Sequence, residues 1–299
     1  MREARIALIA SVVVAVSGAV WGLYWLPVRT VAEGGLTGAW GTLAITLGAA
    51  LVMAPVVWVR RRHLMAADGI ALISIALGGA AFAFYSIGFL YGRVAIVVLF
   101  YLLTPVWSTL IGRFVMGWET PWLRYVAIVL GLTGLTIMLG IDDGIPLPRN
   151  SGEWLGLVGG ILWSLGTTGM RARPAVPPIE ASFILALGAA VTALIVAPIF
   201  APLPEAVTLT ALGASVLTGI FWYGLAMVGL MWAATRLDPA RIGILLMTEV
   251  LVGAASAAWL AGEWLTRPEV IGGLLVITAG IVEVWPVRRR GVHRGGTRY

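Results

Sequence analysis

The chain has 299 residues, of which 60% are hydrophobic and 11% charged, whereas an average soluble chain is about 25% charged. A water-soluble globule of this length could not cover so much apolar surface, so the composition indicates an integral membrane protein. The formal net charge is +6, and all 20 basic residues are Arg, because the sequence contains no Lys. Cys is absent as well, which excludes disulfides and thiolate metal ligands.

Several further classes of chemistry are excluded by residue types alone. The two histidines, His63 and His293, lie in Arg-rich segments outside the apolar runs. Ser-His-Asp catalysis and a His-ligated metal inside the membrane are therefore excluded. Without Lys the chain cannot contain a phosphate-binding Gly-x-x-x-x-Gly-Lys loop, which excludes ATP-driven transport by this chain alone. We expect no enzyme, no cofactor and no bound metal.

Apolar runs bounded by charges and turn residues predict ten membrane-spanning helices, each with the roughly 20 residues that a bilayer core requires. In chain order they cover residues 6–28, 37–59, 67–90, 94–115, 121–139, 154–170, 179–200, 209–234, 239–260 and 268–287. Asp68 is expected to cap the third helix, and Thr120 and Asp238 precede prolines that would open the fifth and ninth.

The distribution of Arg predicts the orientation of these helices. If the N-terminus is cytoplasmic, only four of the 20 basic residues fall outside, namely Arg29, Arg93, Arg149 and Arg267. Cytoplasmic loops carry the excess of basic residues in membrane proteins. Both termini are therefore predicted to be cytoplasmic.

An internal repeat relates the first five predicted helices to the last five. Trp21 and Arg29 recur 142 residues later as Trp163 and Arg171. A second set recurs at an offset of 144, in which Leu103-Thr104-Pro105-Val106 and Glu119 match Met247-Thr248-Glu249-Val250 and Glu263. Because five is odd, the second copy crosses the membrane in the opposite sense, an arrangement found in many secondary transporters.

The predicted fold is therefore an all-α polytopic membrane protein with ten transmembrane helices in two inverted-topology five-helix repeats. The first repeat covers residues 1–141 and the second covers 154–287. A periplasmic linker at 142–153 joins them, and a basic cytoplasmic tail follows at 288–299.

In these motifs the chain resembles the drug/metabolite transporter superfamily, in its ten-helix form with two EamA-type halves. The resemblance also includes the acidic ends Gly117-Trp118-Glu119 and Gly262-Glu263, although Trp118 departs from the usual Gly-Glu pair. It implies a transporter of the bacterial inner membrane, with a small-molecule substrate and the lipid bilayer as its partners. Within the superfamily the chain is most similar to bacterial exporters of aromatic and other neutral amino acids.

Candidate substrate-binding residues follow from polar and aromatic stripes on the helices that would meet at the repeat junction, near the bilayer midplane. They are Trp21, Tyr24, Tyr85, Tyr101, Thr104, Trp163, Thr167, Tyr223, Thr248 and Glu249. The alternative for each aromatic residue is helix–helix packing, and Thr in an apolar helix commonly bonds its own backbone.

Glu249 differs from the others because it is a carboxylate near the middle of a predicted span. A buried ionised carboxylate costs several kcal/mol unless it is paired or protonated, which makes it a functional candidate. It could exchange protons, hold a substrate ammonium, or form a structural hydrogen bond to a Tyr or Thr of a neighbouring helix.

The sequence together with this resemblance favours a secondary exporter of aromatic and other neutral amino acids that works by alternating access. Proton coupling is one of the roles left open for Glu249. Efflux of amphipathic or purine-like compounds is the alternative, because no Arg lies at mid-depth to hold a substrate carboxylate. A membrane assembly protein without transport activity is less favoured, and an intramembrane hydrolase least of all.

Overall fold

The computed structural model describes residues 2–119, 121–139, 147–234, 236–237 and 239–284. These residues form fourteen α-helices and one π-helical segment, and the described part of the chain contains no strand. The expected caps at Thr120 and Asp238 and the basic tail at 288–299 lie outside the described residues, as does most of the linker. The expected cap of the third span is confirmed, because Asp68 Oδ1 accepts a hydrogen bond from the amide of Ala71 at 2.9 Å.

The first half of the chain folds into eight helices. They are α1 (Arg2–Gly22), α2 (Trp25–Glu33), α3 (Ala39–Val59), α4 (Arg61–Met65), α5 (Gly69–Tyr91), α6 (Val94–Tyr101), α7 (Thr104–Phe114) and α8 (Trp122–Leu139). The predicted first span is therefore two helices, α1 and α2, and the predicted fourth span is α6 and α7. The short α4 was not predicted.

The second half contains six α-helices. They are α9 (Ser151–Arg171), α10 (Pro178–Phe200), α11 (Leu209–Thr218), α12 (Val228–Ala234), α13 (Pro239–Ala261) and α14 (Arg267–Val284). A π-helical segment, Gly219–Met227, joins α11 to α12 within the predicted eighth span. By contrast with α1–α2 and α6–α7, the matching helices α9 and α13 are continuous.

Eight segments of the described chain are long and apolar enough to cross a membrane, so the protein is a polytopic all-α membrane protein. They are Arg5–Glu33, Ala39–Val59, Gly69–Tyr91, Val94–Phe114, Trp122–Leu139, Pro178–Phe200, Leu209–Ala233 and Arg241–Ala261. The predicted spans at α9 and α14 are not among them, so the count of ten remains a prediction.

Helix α9 is less apolar than α8 and α10, the helices before and after it in the chain, and its packing gives the reason. It packs along α5 and also contacts α6 and α7, so it faces protein where an outer helix faces lipid. Small residues allow such close approach. A Cβ built on Gly160 would lie only 2.7 Å from the carbonyl oxygen of Tyr101, so this crossing requires glycine. Elsewhere α1 packs on α13 and α8 on α14, which joins helices from both halves of the chain.

Two turns in corresponding positions of the two halves have the same backbone geometry. Gly117 and Gly262 both have positive φ values, 67° and 68°. The next residue donates its amide hydrogen back to the preceding helix in each case, Trp118 to Gly112 at 2.8 Å and Glu263 to Ala257 at 3.1 Å. In this turn, therefore, Trp118 occupies the position of Glu263, and Glu119 is shifted by one residue.

Candidate functional site

A cavity of about 160 Å³ lies among helices of both halves. Its lining residues come from α1, α5, α6–α7, α9 and α12–α14, and are Trp21, Phe82, Tyr101, Leu102, Thr104, Pro105, Trp163, Leu230, Gly243, Leu246, Met247, Glu249, Val276, Ile277 and Gly280. Most of this lining is apolar or aromatic, which is typical of small-molecule sites.

The two spans that are divided into two helices, α1–α2 and α6–α7, are both divided next to this cavity. The α1–α2 break follows Trp21 and Gly22, and the α6–α7 break lies between Tyr101 and Thr104. Tighter turns satisfy the backbone at these points, for example where the Tyr24 amide donates to Trp21 O at 3.0 Å. Discontinuous membrane helices commonly form transporter binding sites, because broken backbone is tolerated only where it faces protein or a cavity.

Aromatic rings form one wall of the cavity, with Phe82 at its centre. The Phe82 ring lies 4.6 Å from that of Trp21 and 5.0 Å from that of Trp163, measured between centroids. The Tyr101 ring is 6.1 Å from Phe82. These separations fall within the usual range for aromatic pairs, so the rings support one another and give the wall a defined shape.

Two polar atoms of this wall have no hydrogen-bond partner among the described residues. They are the indole Nε1 of Trp21 and the hydroxyl of Tyr101, and both are buried. Trp21 is 2% exposed and Tyr101 is 6% exposed. An indole nitrogen can only donate, whereas a phenol hydroxyl can donate or accept. Unpaired buried donors are rare in folded proteins, so they mark this wall as unusual.

Glu249 is the single charged residue among the described residues that line the cavity. The Tyr85 hydroxyl donates a hydrogen bond of 2.8 Å to its Oε1. Tyr85 itself packs against Tyr101, with ring centroids 4.5 Å apart. The carboxylate therefore has one neutral protein partner, and no basic side chain lines the described part of the cavity.

The structure separates the predicted site residues into three groups. Five of them line the cavity, namely Trp21, Tyr101, Thr104, Trp163 and Glu249. Tyr85, Tyr24 and Tyr223 are fully buried behind this lining, where Tyr85 holds Glu249, Tyr24 accepts from Ser86 Oγ at 3.2 Å and Tyr223 packs on Trp21 at 5.7 Å.

The remaining two predicted residues bond to the backbone and do not line the cavity. Thr167 donates to the carbonyl of Trp163 at 2.8 Å within its own helix. Thr248 donates to Leu245 O at 2.8 Å and to Ala15 O at 3.0 Å, so it also joins α13 to α1. Hydroxyl bonding to the preceding helical turn was the alternative expected for threonine in an apolar helix.

Part of the lining was not predicted from the sequence, above all the residues of α14. Val276, Ile277 and Gly280 line the cavity, yet they are apolar positions in an apolar helix and carry no distinguishing pattern. Phe82 shares one face of the third span with Tyr85 and Phe89, and nothing in the sequence distinguishes it from these neighbours. Only the packing of α5 on α9, together with the contact between the Phe82 and Trp21 rings, brings it to the centre of the wall.

A second polar cluster lies at the opposite end of α13 from the cavity residue Gly243. Arg29 forms an ion pair with Glu263 at 2.7 Å and donates to the carbonyl of Phe89 at 3.1 Å. The other carboxylate oxygen of Glu263 accepts from the amide of Val94 at 2.6 Å. Arg93 pairs with Glu269 in the same region, at 2.5 Å. These bonds join α2 and the α5–α6 junction to the loop between α13 and α14 and to the first turn of α14.

Comparisons with known proteins agree with this architecture. Residues 150–284, which form the second half of the chain, match the model of the EamA-like transporter family. A search of curated proteins found no match. Among solved structures, one titled "Crystal structure of protein" is similar with a TM-score of 0.57 and 19% sequence identity, over 94% of this chain and 96% of that one. That likeness concerns the fold alone.

Proposed function

We propose that this membrane protein, whose residues 150–284 match the EamA-like transporter family, is a secondary exporter of small metabolites. Two inverted five-helix halves, residues 1–141 and 154–287, would rock about the cavity and expose it to each side in turn. The matching turns at Gly117 and Gly262 support this division. Inverted repeats with a site at their junction are common to many secondary transporters.

One observation carries the proposal, namely that two broken spans and a deep carboxylate meet at one cavity. The breaks after Gly22 and Tyr101 adjoin the lining that contains Glu249. A structural membrane protein gains nothing from an intramembrane acid, since such an acid costs free energy in lipid. This argues against the assembly-protein alternative.

The described conformation is proposed to be open toward the cytoplasm. Gly243 and Gly280 line the cavity, and both lie in the halves of α13 and α14 that the Arg distribution places nearer the cytoplasm. The ion pairs Arg29–Glu263 and Arg93–Glu269 occupy the predicted periplasmic end and do not line the cavity. They would hold the exit closed until the halves move.

Aromatic and other neutral amino acids are the first substrates to test, and amphipathic or purine-like compounds are the second. Both groups have an apolar or aromatic body that suits a wall of Trp21, Phe82 and Trp163. An apolar cavity with few directed hydrogen bonds discriminates only modestly between such bodies. Proton coupling is assigned to Glu249, because it is the charged group within the described lining.

Counterflow in proteoliposomes tests this function. Vesicles are loaded with one unlabelled compound from a panel of amino acids, amphipathic drugs and nucleobases, and uptake of the labelled compound is followed. Transient accumulation above the level of protein-free vesicles is expected for at least one compound. If no compound accumulates although the purified protein is folded, the transporter proposal is wrong.

A further inference from the structure

We propose that the cavity binds its substrate through a protonated amine, held between the Glu249 carboxylate and the aromatic wall, and that a free carboxylate on the substrate weakens binding. This inference rests on the proposed function in one respect, that the cavity is the substrate site, and it ranks amines without a carboxylate above the zwitterionic amino acids named there. It adds a charge rule that the fold and the family do not supply.

The first argument is the balance of charge. Glu249 is the charged group within the described lining, and its partner Tyr85 is neutral. A carboxylate in a low-dielectric site is costly unless it binds a proton or a counter-charge. The chain contains no Lys, and no Arg or His is among the residues that line the cavity. A substrate ammonium would supply the missing positive charge.

The second argument is the nature of the walls. The rings of Trp21, Phe82, Tyr101 and Trp163 all line the same cavity. The face of an aromatic ring carries negative potential, so it attracts a cation placed over it, and Trp does so most strongly. A carboxylate over the same faces would be repelled. The wall therefore favours a positively charged ligand, as Glu249 does.

The unpaired donors of the wall do not reverse this preference. Trp21 Nε1 and the Tyr101 hydroxyl could donate to a carbonyl of an amide as well as to a carboxylate. Because both groups are neutral, neither cancels the charge of a carboxylate that shares the cavity with Glu249. An amine with a neutral acceptor should therefore bind more tightly than the matching zwitterion.

Isothermal titration calorimetry on the purified full-length protein in nanodiscs at pH 6.5 tests the rule with four compounds that share one phenyl ring. Phenethylamine and phenylalaninamide carry an amine without a carboxylate, phenylalanine carries both groups, and N-acetylphenylalaninamide carries neither charge. We expect the two amines to bind at least about tenfold more tightly than phenylalanine, because the phenylalanine carboxylate would be buried without a partner. The neutral compound should bind no better than phenylalanine.

Glu249→Gln identifies the residue responsible. This variant keeps an oxygen that can accept the Tyr85 hydrogen bond, but it should lower the affinity for both amines about tenfold and leave N-acetylphenylalaninamide unchanged. Glu205→Gln is the matched control, because Glu205 is exposed in the α10–α11 loop, and it should bind all four compounds like the wild type. If Glu249→Gln does not fold, Glu249→Asp retains the charge and should retain the preference for amines.

Two results would overturn the proposal: phenylalanine binding as tightly as phenethylamine, or amine binding that Glu249→Gln leaves unchanged. Because binding is measured without flux, these failures can be told apart from failure of the transport function. If amines bind through Glu249 but no compound shows counterflow, the transport proposal is wrong and the charge rule stands. If counterflow occurs but amines bind no more tightly than phenylalanine, the charge rule is wrong and the transport proposal stands.

Discussion

Arg29 and Glu263 form an ion pair of 2.7 Å that joins α2 to the loop between α13 and α14. The two residues are 234 positions apart, and each belongs to a motif that occurs in both halves of the sequence. At the other end of the molecule the corresponding turn holds Trp118 in place of the glutamate, and a Cβ built on Gly112 would lie 3.1 Å from the Trp118 ring. The ion pair is therefore a feature of one end of the described structure.

Breaking this pair should open the predicted periplasmic end. Glu263→Gln removes the charge, and a hydrogen bond to a charged group contributes about 1.5–3 kcal/mol, so the ratio of the closed to the open state should fall roughly tenfold or more. The measurement uses a cysteine introduced at Met247, which lines the cavity, in a chain that has no other cysteine. Its labelling by a membrane-impermeant thiol reagent from the periplasmic side should become faster.

Glu205→Gln serves as the control for this experiment and should leave the labelling rate unchanged. A cleavable bifunctional thiol reagent that joins cysteines placed at Arg29 and Glu263 should have the opposite effect and stop transport until it is cleaved. Equal labelling of the wild type and Glu263→Gln would mean that the ion pair does not control access.

Glu249→Gln should uncouple transport from a pH gradient. The amide retains the acceptor for the Tyr85 hydroxyl, so the fold should survive, whereas the proton-exchanging carboxyl is lost. Flux driven by a pH gradient should fall about tenfold or more, while exchange of an uncharged substrate down its own gradient should persist. Both fluxes are measured in proteoliposomes with and without the gradient. Wild-type rates in every condition would remove Glu249 from the site.

Gly79→Ala should destabilise the protein through the crossing of α5 with α10. A Cβ at this position would overlap the carbonyl oxygen of Leu185 and lie 2.7 Å from the amide nitrogen of Ala189. Overpacking of this kind costs about 1–3 kcal/mol, and the midpoint of thermal unfolding in a fixed detergent should fall accordingly. Gly213→Ala is the control, because a Cβ there meets nothing within 4 Å and the midpoint should not fall.

The orientation predicted from Arg is tested with reporters. A fusion after Tyr299 should read as cytoplasmic and one inserted within residues 142–153 as periplasmic, because only four of the 20 Arg residues lie on the periplasmic side in this arrangement. A periplasmic reading after Tyr299 would make the number of spans odd. It would contradict the assignment of ten helices in two inverted halves.

The sequence by itself was sufficient to predict the class of protein and most helix bounds. A helix that spans lipid must be a long apolar run, and its backbone hydrogen bonds must form within that same segment. It also singled out Glu249 and Trp21, which line the cavity, since a mid-membrane acid and a repeated Trp stand out from an apolar background. The helix breaks after Gly22 and Tyr101 were not predicted, because the hydrophobic pattern of an apolar run is the same whether or not its helix is continuous.

Tertiary structure alone decided which candidates face the cavity. Phe82, Thr167 and Thr248 belong to similar stripes, yet the first lines the cavity and the two threonines bond to backbone carbonyls. The pairing of Arg29 with Glu263 likewise depends on segments far apart in the chain. Such relationships depend on how helices cross, and the apolar pattern that defines each helix does not encode its neighbours.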